Sequence, residues 1–152
     1  MRKTRLKTAY HASQKSVERF APEASRWGHG GVFATLKPRE GAPYVYLLPG
    51  PFLLLEVEDR DTGSFHLLEG FGTDDEWNAL VAELAPAAGL GRDGPPWLLP
   101  YNAYGVDHFH HLHRLLRERL DAEGYDGWWL GGEIVLWNYR LLGAARAITP
   151  KT

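Results

Sequence analysis

His11, Tyr44 and Glu133 are the residues of this chain with the most chemistry to offer, and each belongs to a strand-like run or its flank. The runs are Thr8-Ala9-Tyr10-His11-Ala12-Ser13, Gly31-Val32-Phe33-Ala34-Thr35 leading on to Tyr44, and Gly124-Tyr125-Asp126-Gly127 leading to Glu133-Ile134-Val135-Leu136-Trp137. A histidine, an aromatic face and a carboxylate brought together can grip a ribose and a planar cationic ring, and stabilise positive charge as the bond between them breaks. That is the chemistry of NAD.

The three segments, in this order, resemble the motifs of the ADP-ribosyltransferase family in its small single-domain bacterial and phage forms with a His, Tyr, Glu triad. Tyr10-His11-Ala12-Ser13 is similar to the first motif, in which the residue after His is more often Gly. Phe33-Ala34-Thr35, then Lys37-Pro38 and Tyr44, resembles the second, in which a strand ends in Thr and a short helix delivers the tyrosine. Glu133 and the apolar strand after it, preceded by the Gly-Tyr-Asp-Gly turn, resemble the third.

The resemblance spans almost the whole chain and implies an α+β fold, a split β-sandwich with flanking helices and a central NAD cleft, formed by residues 1–152 as one domain. It implies a mono-ADP-ribosyltransferase that binds NAD as substrate, releases nicotinamide and passes ADP-ribose to a macromolecular acceptor, protein or nucleic acid. His11 would hold a ribose hydroxyl, Tyr44 would stack on nicotinamide, and Glu133 would accept a hydrogen bond from the 2′-hydroxyl and stabilise the oxocarbenium-like cation. Ala12, Ser13, Thr35 and Tyr46 complete the expected NAD contacts, with Tyr46 the competitor of Tyr44 for the stacking role. No metal is expected. Gly131 stands two places before Glu133, where relatives that modify arginine usually carry Glu or Gln, which counts against arginine as the target.

Two other outcomes belong to the same reading: an NAD glycohydrolase, with water as acceptor, and an inactive relative serving as a binding module through aromatics such as Trp97, Tyr101 and Tyr104. From a different class comes a metal-dependent hydrolase built on His108, His110, His111 and His113, two pairs of which lie three apart on a helix. A polar helix face accounts for these histidines more simply. Trp27 and His29 would border the NAD site, and Asp126 would shape a turn beside its glycines rather than act as a base.

The elements that must position these residues follow from periodicity. Leu6 to His11 reads as a strand, Ser13 to Phe20 as a polar turn or short helix with Val17 and Phe20 inward, Val32 to Thr35 as a strand, and Pro38 to Tyr46 as a short helix. Pro49-Gly50-Pro51 reads as punctuation before a strand from Phe52 to Val57, which a turn at 58–63 pairs with the apolar run Phe65 to Leu68. Asp74, Asp75 and Glu76 open a helix through Leu84, and a second helix runs from Val106 to Glu123 until Gly124 stops it. Trp128 to Leu130 and Ile134 to Trp137 close the set as strands, and residues 89–96 read as a surface loop.

Composition narrows the classes. The 152 residues are 44% apolar, enough for one cored domain, and contain no cysteine, which removes disulfides, thiolate nucleophiles and zinc-thiolate sites. A net charge of −2 gives no global field toward nucleic acid or an anionic membrane, while leaving room for a local patch. Arg2, Lys3, Arg5 and Lys7 are not followed by the apolar stretch of a signal peptide, and no run is long enough to cross a bilayer. The expected setting is the cytoplasm of its own or a target cell, as a toxin, a phage effector or a housekeeping modifier, with a neutralising partner in the first case.

Overall fold

The structure, a computed structural model, describes residues 2–21, 30–57, 75–89, 106–130 and 133–148. Among these residues, six strands and three α-helices make a mixed α+β fold around a curled sheet. The strands are β1 (Arg2–Ser13), β2 (Val32–Ala34), β3 (Tyr44–Val57), β4 (Gly127–Leu130), β5 (Glu133–Leu136) and β6 (Arg146–Ala147). The helices are α1 (Asp75–Leu84), continued by a 3-10 turn over Ala85–Ala88, α2 (Val106–Ala122) and α3 (Tyr139–Leu142).

The order across the sheet is β1-β3-β4-β5-β2, with β6 on β3. Among the described strands only β3 and β4 pair in parallel, and the chain between them includes α1 and α2. The curl brings β2 back to β1 at one point, where Tyr10 and Thr35 exchange both main-chain hydrogen bonds at 2.9 and 2.8 Å.

The helices form where apolar periodicity and end charges agree. Asp75 and Glu76 occupy the first turn of α1, where the helix dipole favours anions, and Trp77, Val81, Ala85 and Ala88 are buried on one face. Leu112, Leu116 and Leu120 repeat every four residues on the buried face of α2, and Gly124, at φ +93°, ends that helix with a conformation side chains resist. These helices cover one sheet face through Leu55, Val57, Trp128 and Val135. A second cluster, around Ala9, Tyr46, Phe52, Leu54 and Ile134, fills the other face.

Several local expectations are corrected. Of the two readings for Ser13 to Phe20 the helix is absent and a bent, irregular segment is found, with Val17 and Phe20 packed inward. Residues 38–46 also form no helix: Gly41 adopts φ +79°, Pro43 follows, and Tyr44 opens β3. Pro49-Gly50-Pro51 lies inside β3 rather than before it. The two prolines lack an amide to donate, and the β1–β3 register shifts between Leu6 and Thr8 opposite them, so the ladder is interrupted where it could not be made. The described strands belong to one curled sheet. The expected hairpin over 58–68 lies outside the described residues, as does the loop beyond Gly89.

Glu56 is a charged residue buried in the sheet. Arg2 donates to both its oxygens, at 2.7 and 3.0 Å, and the Thr4 hydroxyl donates to one of them. The Arg2 hydrogen bonds hold the Glu56 carboxyl below its usual range, the Thr4 bond and the Arg2 charge add to this, and burial opposes it. A lowered folded-state pKa stabilises the fold above the unfolded pKa, and that contribution is lost as pH falls through the folded value. Glu56→Gln is therefore expected to cost about 1–3 kcal/mol at neutral pH. Thermal melts in a pH series should show the gap between wild type and variant closing below about pH 4.

Candidate functional site

Beyond the Tyr10–Thr35 bridge β1 and β2 part, and a cavity of about 740 Å³ lies there, lined by residues 11–21 and 31–33. The volume falls in the range of small-molecule sites. His11 stands on the wall, half-buried, with Nδ1 2.7 Å from the carbonyl oxygen of Phe33. A carbonyl can only accept, so Nδ1 carries the proton and donates; in the neutral ring Nε2 is then an acceptor. That nitrogen is suited to a hydroxyl.

The ring of His11 is held by aromatic neighbours. Phe20 meets it edge-on at 5.4 Å, Phe20 meets Tyr46 edge-on at 5.6 Å, and Tyr46 lies 6.5 Å from His11. The Tyr46 hydroxyl accepts a 2.7 Å hydrogen bond from the Val17 amide, which ties the segment over the cavity to β3. Sheet register explains the meeting, because His11 pairs with Tyr46 and Ser13 with Tyr44 across β1 and β3.

The other expected site residues are placed unevenly. Ala12 and Ser13 line the cavity, and the Ser13 hydroxyl accepts from the Lys15 amide at 3.2 Å. Tyr44 is half-buried beside Ser13 and packs on the inner cluster, one strand away from the cavity wall. Tyr46 is only 6% exposed and supports the wall from below. Thr35 is exposed, donates its hydroxyl to the Lys37 carbonyl at 2.7 Å, and is not among the lining residues. A short turn after β2 uses that hydroxyl.

Glu133 opens β5, two strands from His11. Ile134 pairs with Ala34 on β2, and β2 meets β1 at the Tyr10–Thr35 bridge, so β2 stands between β5 and the end of β1. The Glu133 side chain lies outside the described residues, as do Trp27, His29, Trp97, Tyr101, Tyr104 and Gly131.

Phe20, Gln14, Lys15 and Arg19 line the cavity without having been singled out for it. The inward pattern of Val17 and Phe20 was the available signal, and it identified a core contact that is also a wall. Asp126 is structural as expected: Oδ2 accepts from the Leu53 amide at 2.8 Å and Oδ1 from the Asn138 side chain at 2.7 Å. His113 meets Trp128 edge-on at 6.4 Å, and the side chains of His108 and His110 lie outside the described residues. Among the described residues no three His, Asp or Glu side chains gather as metal ligands. None of the described helices is long and apolar enough to cross a membrane.

Compared with protein-family models, with curated proteins and with solved structures, the chain matches none.

Proposed function

We propose that this chain is an NAD-dependent mono-ADP-ribosyltransferase and that the gap between β1 and β2 is the split of the sandwich its motifs resemble. The observation that supports the reading is the cavity at that gap, with His11 on its wall and its Nδ1 held by the Phe33 carbonyl. His11 Nε2 accepts a ribose hydroxyl, and the ring cannot turn without losing the bond to Phe33 and the edge contact with Phe20. In this reading Tyr44, the strand partner of Ser13, stacks on nicotinamide, since the ring of Tyr46 is buried and its hydroxyl is engaged by the Val17 amide.

Glu133 supplies the negative charge. Its carboxylate accepts the 2′-hydroxyl hydrogen bond and stabilises the cation formed as the C1′–N bond breaks and nicotinamide leaves with the electron pair. A nucleophile then bonds to C1′ and gives up its proton.

Incubating the pure protein with NAD labelled in nicotinamide, with and without a cell lysate, tests the reading. Nicotinamide release by the wild type and its loss in Glu133→Gln supports it; the same slow background from both overturns it. His11→Ala is expected to raise KM for NAD roughly fivefold with a smaller effect on kcat, as for loss of one ground-state hydrogen bond of about 1 kcal/mol. Steady-state nicotinamide release at varied NAD checks this.

A further inference from the structure

Every residue from His11 to Ala21 lines the cavity, yet the part of this run beyond β1 is weakly tied to the sheet. The β1–β3 ladder ends at the Ser13–Tyr44 pair, and the main chain of residues 14–21 makes no hydrogen bond to the main chain of another described residue. A segment without such bonds opens more readily than the strands beside it. Among the described residues, Tyr46 holds it at two points. The Val17 amide donates to the Tyr46 hydroxyl at 2.7 Å, and Phe20, farther along the segment, sets its ring edge-on to Tyr46 at 5.6 Å and to His11 at 5.4 Å.

Tyr46 cannot follow a segment that moves. It lies inside β3, paired with His11 of β1 on one side and with Ala147 of β6 on the other, and its ring is buried. The hydroxyl is therefore a fixed acceptor beneath the cavity wall. We infer that Tyr46 is a positioning residue of the cavity: its hydroxyl latches residues 14–21 through Val17 as a strap, and Phe20 of the strap in turn steadies the ring of His11, so that ligand affinity depends on one phenolic hydrogen bond. The identity of that ligand rests on the reading of the cavity as an NAD site, whereas the latch is a property of the chain alone.

A buried phenol must find some partner, which is the competing explanation and gives Tyr46 no role beyond the core. Against it stands the partner it has: an amide in the middle of the cavity-lining segment, 29 positions away, rather than a group of its own or a neighbouring strand. Phe20 adds a second, independent contact from the same segment to the same ring, and carries the effect on to His11. Tyr46 thus acts on the ligand through Val17, Phe20 and His11, a role different from stacking on nicotinamide.

Trypsin reads the strap directly, because Lys15 and Arg19 are exposed within it. Where closing is fast relative to cutting, the cleavage rate follows the population of the open form. Tyr46→Phe keeps the ring and removes the acceptor. It is expected to speed cleavage after Lys15 and Arg19 about fivefold, the population change that one net hydrogen bond carries, and to leave cleavage after the exposed Arg39, outside the strap, unchanged. The same variant should raise KM for NAD in nicotinamide release about fivefold with kcat changed less than about twofold. In a His11→Ala background that KM effect should largely disappear, since both substitutions act on one contact. Should Tyr46→Phe not fold, Phe20→Leu loosens the other attachment of the strap and is read by the same two measurements.

Faster cleavage confined to the strap, with a KM effect that is lost in the His11→Ala background, supports the inference. Unchanged cleavage after Lys15 and Arg19 overturns it, because no latch has been released. Cleavage that rises equally after Arg39 overturns it by making Tyr46 a general core residue, and so does a KM effect that adds in full to that of His11→Ala. If the wild type releases no nicotinamide, the transferase reading falls and the role in catalysis with it, while the proteolysis still decides the latch.

Discussion

Glu133→Gln is expected to lower nicotinamide release by a factor on the order of 10²–10³ while leaving the melting temperature unchanged. The amide keeps the size of the carboxylate and can still accept a hydrogen bond, so what is removed is negative charge opposite a forming cation. A charge that acts only as the C–N bond breaks affects kcat and kcat/KM together and leaves NAD affinity nearly constant. The contrast with His11→Ala, where KM carries most of the change, separates a residue that stabilises the transition state from one that holds the ribose. Pre-steady-state and steady-state assays with labelled NAD, with calorimetric binding of NAD to the variant, check both halves. A Glu133→Gln protein with full activity would remove the chemical basis of the proposal.

Gly127→Ala is expected to destabilise the fold by about 3 kcal/mol or more, the upper end of what an added methyl group costs in a packed site. Gly127 opens β4 between β3 and β5, and a Cβ there would lie 2.2 Å from the Val135 carbonyl oxygen, 2.9 Å from Leu136 and 3.0 Å from Leu54. The first of these is backbone and cannot move without breaking the β4–β5 ladder. For a chain of this size the loss corresponds to a drop of roughly 10 °C in Tm, or to failure to fold. The same ladder pairs Leu130 with Glu133, so activity should fall with stability, and a melt beside an activity assay at low temperature distinguishes this from a direct chemical role. Gly124, at the other end of the Gly-Tyr-Asp-Gly turn, differs: a Cβ there would meet nothing within 4 Å, and the glycine is needed only for its positive φ.

The elements that could be read from sequence are those whose pattern is local. Leu112, Leu116 and Leu120 report a helix face at any register, Asp75 and Glu76 report a helix start, and the apolar runs before Thr35 and after Glu133 report strands that the structure pairs as β2 and β5. What depends on a distant partner was not legible. Tyr44 reads as the end of a helix until β1 is available to pair with it, and Pro49-Gly50-Pro51 reads as a break until a register shift in the neighbouring strand accommodates it.

The site divides in the same way. His11, Ala12 and Ser13 follow one another on a strand, so their shared place on the cavity wall is a local property of the sequence. The Thr35 hydroxyl serves the next turn, a short-range competition that residue type does not reveal. Phe20 was recognised as inward but not as a cavity wall, since only the crossing of its segment over β1 sets it against His11 and Tyr46.

The closing contact of the curl has a consequence for synthesis. β2 is held by β5, with Val32 opposite Leu136, and the Tyr139 hydroxyl reaches the Gly30 carbonyl across 109 positions of chain. Emerging from a ribosome, the histidine strand waits for residues 133–139 before its cavity can close, since pairings of such high contact order form late. A nascent fragment that stops short of those residues therefore has no assembled cavity beside His11.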